Sequence, residues 1–139
     1  MLRMDTEALA RFLAASFPQA ATAGFTITAL DEGRLTLQLS TDDAHLRPGG
    51  TVSGPTMMTL ADTATYLLVL AHLGPVALAV TTNLNIHFMR KPQPGMLRAS
   101  ATLLKLGKRI AVAQVGLHGA DPELLYAHAT VTYSLPPPR

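Results

Sequence analysis

The chain of 139 residues contains no cysteine and no tryptophan, and aromatic residues make up only 5% of it. The absence of thiols excludes disulfides, thiolate nucleophiles and cysteine-ligated zinc sites, and leaves the redox compartment unmarked. Charge is scarce too, at 14% of residues against 48% hydrophobic. The histidines, His45, His72, His87, His118 and His128, are scattered and form no HExxH-like pair, so neither a metal site nor a cofactor is expected. There is no serine-elbow or phosphate-loop motif.

The few charges are unevenly placed. Residues 1–62 hold four Lys/Arg against seven Asp/Glu, and residues 63–139 hold seven against two. A basic carboxyl half can steer an anionic ligand, but without interleaved aromatics it is a poor nucleic-acid surface, and no nucleic-acid partner is expected. The most apolar window, "TATYLLVLAHLGPVALAV", approaches membrane-spanning length. It is broken by Gly74-Pro75 and lacks a flanking basic cluster or aromatic belt, so the expectation is a core helix and a strand in a soluble chain with no membrane partner. The opening "MLRMDTEALARFLAASFPQA" reads as an amphipathic helix with Leu9, Phe12 and Leu13 on one side, unlike a secretory or transit peptide. The expected location is cytoplasmic.

The length and apolar content suit one domain over residues 1–139. After the first helix, "GFTITAL" and "RLTLQLS" flank "DEG" as a hairpin, with Leu35, Leu37 and Leu39 alternating against Thr36 and Gln38. "TDDAHLRPGGTVSG" is dense in turn formers and ends where Ser53 or Gly54 can cap a helix and Pro55 can open it. That helix is expected from about Pro55 to His72, apolar nearly all round and therefore buried on most sides. From Ala77 to Phe88 the period becomes two. Leu78, Val80, Leu84, Ile86 and Phe88 are expected on one face, with Thr82 the exception, and Thr81, Asn83, Asn85 and His87 on the other. "MLRASATLLKL" and "KRIAVAQVGL" then pair as a hairpin, "LLYAHATVTY" forms a last strand, and "SLPPPR" is irregular. The fold class is α+β, an antiparallel sheet wrapped around one long central helix and preceded by an N-terminal helix.

Asp62 is the one formal charge between Arg47 and Arg90 if the histidines are neutral. An unpaired carboxylate in apolar surroundings loses several kcal/mol of hydration, so the residue is expected to be bonded, exposed or used. Thr59, Thr63, Thr65, Arg47, Arg90 and a subunit contact are its structural partners in prospect; a catalytic role is the alternative. The start of the same helix is the second feature. The amide of Gly54 points out unpaired at the positive end of the helix dipole, where it would stabilise a carbonyl oxygen gaining charge.

The order of elements, together with "GGTVSGPTMMTLADTA", resembles the hotdog-fold acyl-CoA thioesterases of the PaaI type, over nearly the whole chain from Gly24 to Tyr133. The matching positions are Gly50, Gly54, "LAD" at Leu60 to Asp62, Thr81 and "NIHF" at Asn85 to Phe88; the family's usual His-Gly-Gly is Ser53-Gly54-Pro55 here, and its loop Asn falls at Arg47. The resemblance implies hydrolysis of an aryl- or medium-chain acyl-CoA. Asp62 would act as general base or nucleophile, Gly54 N–H would polarise the thioester carbonyl and Thr81 would position the water. Ser53, Arg47 and Asn83 are further candidates to bind substrate, and Arg90, Lys91, Lys108 and Arg109 could meet the phosphates of coenzyme A. A non-catalytic acyl-CoA or aromatic ligand-binding dimer and an enoyl-CoA hydratase are the alternatives. Gly54 and Asp62 are eight positions apart on one helix, roughly 12 Å along its axis, too far to share a carbonyl within one chain. A single site using both must draw them from two subunits, which implies a homodimer or a homotetramer built as a dimer of dimers.

Overall fold

A computed structural model describes residues 1–137 except Thr22. Helix α1 (Thr6–Ser16) starts at Asp5, whose carboxylate accepts from the Ala8 amide at 2.8 Å, and it buries Leu9 and Leu13. A short α2 (Pro18–Ala21) follows. Strands β1 (Phe25–Asp31) and β2 (Arg34–Ser40) form the expected hairpin, and Gly33 supplies the positive φ of 76° that its tight turn requires. A 3-10 turn at Asp43–His45 interrupts the loop before α3 (Gly54–Leu73). Strands β3 (Val80–Phe88), β4 (Met96–Leu106), β5 (Ile110–His118) and β6 (Leu125–Ser134) complete one antiparallel sheet in the order β1-β2-β4-β5-β6-β3. The irregular tail is followed to Pro137; Pro138 and Arg139 lie outside the described residues.

Helix α3 fills the concave face of this sheet. Leu60, Leu67, Leu68, Val69 and Leu70 are fully buried, on several sides of the helix at once. Directly beneath run the small inward residues Ala99 and Ala101 of β4, Ala111 and Ala113 of β5 and Ala127 and Ala129 of β6, all buried, whereas β2 contributes Leu35, Leu37 and Leu39. Small side chains on the middle strands let the sheet close onto the helix, and larger ones fill the widening gap beside it. Thr65, buried within the helix, returns its hydroxyl to the Ala61 carbonyl at 3.0 Å and leaves no unmet donor. By length and composition this helix could cross a membrane, but most of its apolar surface is packed inside the fold. The Leu68→Ala change removes a side chain with no solvent exposure and is expected to cost ~2–5 kcal/mol, read as a lower urea midpoint at fixed chain concentration. A loss under about 1 kcal/mol would contradict so complete an enclosure.

Strand β3 departs from the sequence-based expectation in two ways. It begins at Val80 and not at Ala77, and its register against β6 slips between Thr81 and Asn83. Thr82 is the extra residue of a bulge, which reverses the alternation on either side of it. Leu84, Ile86 and Phe88 pair with the inward-facing Val131, Ala129 and Ala127, and Thr81 pairs with the inward-facing Tyr133. Directly paired residues project to the same side. Thr81 therefore faces the helix, separated from Asn83, Asn85 and His87, while Leu78 and Val80, expected inside, are 71% and 54% exposed.

Candidate active site

The site is assembled around α3. At its start, the loop is fixed by backbone bonds from Arg47 N to Thr51 O (2.9 Å), Ser53 N to His45 O (2.9 Å) and Val52 N to Pro92 O (3.2 Å). Ser53 caps the helix by accepting from the Thr56 amide at 3.3 Å, and its hydroxyl lies 2.8 Å from that of Thr56, so its polar atoms are already committed. Gly54 is the first helical residue, and Pro55 follows without disturbing any bond because that position has no intrahelical acceptor. Among the described residues the Gly54 amide has no hydrogen-bond acceptor. The Phe88 ring lies across this glycine: a Cβ added there would sit 3.2 Å from Phe88 Cζ. The ring shields one side of the helix end from water.

Two turns further along, Asp62 emerges from the helix into a cavity of about 640 Å³ lined by Phe17, Met58, Tyr66, Val80 and Leu84 among others. Thr81 donates to Asp62 Oδ1 at 2.6 Å, and the Tyr133 hydroxyl donates to the same oxygen at 2.8 Å while lying 3.1 Å from the Asp62 carbonyl. Both donors thus converge on one carboxylate oxygen. Tyr133 is only 4% exposed, and burial first, then the charge of Asp62, pushes its phenol far above the usual tyrosine range. It therefore stays a protonated donor. The Tyr66 ring packs on Tyr133 with centroids 6.0 Å apart and planes at 28°, and burial raises its hydroxyl as well.

Within the chain, none of Thr59, Thr63, Thr65, Arg47 and Arg90, the partners expected for Asp62 from the sequence, bonds its carboxylate among the described residues. Thr65 bonds within the helix, and no ion pair joins Asp62 to Arg47 or Arg90 among the described residues. The true partners come from β3 and β6, and Tyr133 was not anticipated at all. Its signal in the sequence is faint: it is the one bulky polar residue on the inward stripe Ala127, Ala129, Val131 and Tyr133.

The remaining candidates do not gather in one chain. Asn83 pairs with Thr132 on the outer face, turned away from Asp62. Arg90 and Lys91 follow β3 at its Phe88 end, beside Gly54, and exposed Arg47 lies in the loop at that same end. Lys108 and Arg109 sit in the β4–β5 turn at the opposite end, where Ile110 and Val80 both pair with Ser134. Lys108 also lines a second cavity of about 940 Å³ with Arg3, Leu73 and Leu78. Among the described residues no three His, Asp or Glu side chains come together as metal ligands.

The sheet wrapped around a buried helix, with a carboxylate aimed from that helix into an apolar cavity, is the architecture of a hotdog enzyme. The model of the thioesterase superfamily matches residues 49–133, and the chain belongs to that superfamily. A crystal structure of a Silicibacter sp. TM1040 protein assigned as a thioesterase is 49% identical, with a TM-score of 0.89, covering 99% of this chain and 95% of that one. A phenylacetic acid degradation-related protein from Ralstonia eutropha JMP134 is 32% identical, with a TM-score of 0.80, over 91% of this chain and 98% of that one. The phenylacetic acid degradation protein PaaI of Thermus thermophilus, in a mutant form, is 25% identical, with a TM-score of 0.74, over 86% and 99%. No curated protein matches the chain. The hotdog fold and the PaaI-type likeness expected from the sequence are borne out, and thioester hydrolysis is the general activity.

Proposed function

We propose that this protein hydrolyses the thioester of an aryl- or medium-chain acyl-CoA, with Asp62 as the acting carboxylate. The observation that carries the proposal is the pair of hydroxyl donors, Thr81 and Tyr133, on a single oxygen of Asp62 at the edge of an apolar cavity. The cavity suits an acyl group, and the other oxygen, Oδ2, is left to do chemistry. As general base, Oδ2 takes a proton from water while the hydroxide forms a bond to the thioester carbonyl carbon. Collapse of the tetrahedral intermediate breaks the C–S bond, and the proton passes to the departing CoA thiolate. As nucleophile, Oδ2 bonds to the carbonyl carbon, the C–S bond breaks and CoA departs as its thiolate; water then cleaves the resulting anhydride to the free acid and the Asp62 carboxylate, and a proton from that water passes to the thiolate. In both cases the oxyanion is met by the Gly54 N–H and the positive end of its helix.

That Gly54 belongs to a second copy of the chain. β3 is an edge strand whose backbone faces no neighbouring strand on its outer side among the described residues, and it carries Val80 at 54% and Phe88 at 50% exposure. Such an edge invites pairing with another strand. Two β3 strands paired antiparallel about a two-fold axis near Leu84 and Asn85 set Thr81 of one copy opposite Phe88 of the other. Thr81 bonds Asp62 and Phe88 covers Gly54, so this pairing unites the two halves of the site. It also brings Arg90 and Lys91 of one copy toward Lys108 and Arg109 of the other, a cationic rim suited to the phosphates of coenzyme A. Arg47, in the loop at the Gly54 end, lies on the same side of that junction, whereas Asn83 points to the outer face. A homodimer, assembling further into a homotetramer, is the predicted form. A thiol-release assay on benzoyl-CoA and octanoyl-CoA tests the activity: turnover of at least one is expected, and calorimetric binding of both without thiol release would instead support a ligand-binding dimer.

A further inference from the structure

We infer that Tyr133 is a positioning residue for the reaction: its hydroxyl fixes which oxygen of Asp62 acts. The inference rests on the thioesterase reading above and assigns a role to a residue outside the motif that carried it. A carboxylate at the end of two rotatable bonds presents either oxygen to a cavity unless something selects between them. Here Tyr133 bridges Oδ1 at 2.8 Å and the Asp62 carbonyl at 3.1 Å, a contact with side chain and backbone that ties the carboxylate to its own helix. Thr81 adds a second donor on Oδ1, at 2.6 Å. Oδ1 is thereby held and Oδ2 is aimed at the acyl cavity.

The phenol suits this task better than a flexible donor. It comes from near the end of β6, a strand paired on both sides at this point, since Tyr133 pairs with Ala111 of β5 and with Thr81 of β3. Its ring is stacked on Tyr66 and it is 4% exposed, so its hydroxyl has no freedom to leave. The titratable groups acting on it are Asp62 and Tyr66, both on α3; β3 presents only the neutral Thr81, and burial keeps the phenol protonated. Tyr133 also lines the cavity, but its hydroxyl is spent on Asp62, so this preorganised donor acts on the reaction through the geometry of the carboxylate.

The test is Tyr133→Phe in the full chain, with kcat and KM both measured by thiol release from benzoyl-CoA and octanoyl-CoA. Losing one charge-assisted hydrogen bond should lower kcat ~10–100-fold and leave KM within about threefold. Should the phenylalanine variant fail to fold, 3,5-difluorotyrosine at position 133 keeps the ring and its hydroxyl donor; it should retain kcat and leave KM within about threefold of the parent. Unchanged kcat in a folded Tyr133→Phe, or a kcat lost with the fluorinated residue although its hydroxyl is kept, overturns the inference. Loss of activity in Asp62→Asn beside full activity in Tyr133→Phe confines the failure to Tyr133. Full activity in both variants means that the thioesterase reading of Asp62 has failed.

Discussion

Asp62→Asn is expected to lower kcat for acyl-CoA hydrolysis by ~10²–10⁴-fold while leaving the fold intact. The carboxamide keeps the size of the carboxylate and retains an oxygen that can accept from both Thr81 and Tyr133. It can neither take a proton from water nor attack a carbonyl. The substitution therefore separates chemistry from architecture. Asp62→Ala does not, because it strips the acceptor from a phenol that is 4% exposed, and a buried donor left unmet costs ~1–3 kcal/mol. Thiol release and a thermal melt, measured side by side, check the expectation: turnover collapses while the melting temperature changes little. Parental turnover in a folded Asp62→Asn removes the carboxylate from the mechanism.

The second large effect concerns the helix start. Gly54→Pro deletes the amide proposed to meet the oxyanion and is expected to lower kcat by ~10²–10³-fold. The backbone tolerates the ring on its N-terminal side, since Ser53 already holds ψ at 153°, the extended conformation favoured before proline. The added carbons press on the Phe88 ring, whose Cζ would lie 3.2 Å from a Cβ at this position. Gly54→Ala imposes the same crowding and keeps the N–H, so the difference between the two variants isolates the amide. Equal losses in both would assign the effect to crowding and remove Gly54 N–H from carbonyl binding.

Much of this fold is legible in the sequence because its main elements are set by local rules. Ser53 as cap and Pro55 in the first turn place the start of α3 within one residue, and Gly74 after Leu73 ends it. Alternating Leu35, Leu37 and Leu39 announce an inward strand face. The bulge at Thr82 is visible only as an exception to alternation, since a bulge is defined against the partner strand and β6 comes about fifty residues later. The error at Thr81 follows from that one slip, which turned it from the outer stripe to the helix. Tyr133 escaped for the same reason: nothing in "VTYS" says that it will stand opposite Thr81. The acid itself could be found from its isolation among apolar neighbours, but the groups that hold it depend on strand register. The basic residues proposed to meet substrate have a further dependence, since those at either end of β3 approach one another only across two chains.

The central claim is one site built from Asp62 of one chain and Gly54 of another. A mixed dimer tests it: Asp62→Asn and Gly54→Pro chains, carrying different affinity tags, are co-expressed and their heterodimer is isolated through both tags. In a shared arrangement one of the two sites receives both defects and the other receives neither, so the mixed dimer should show about half the parental turnover although each parent variant is nearly inactive. A mixed dimer as inactive as the two variants would contradict the shared site.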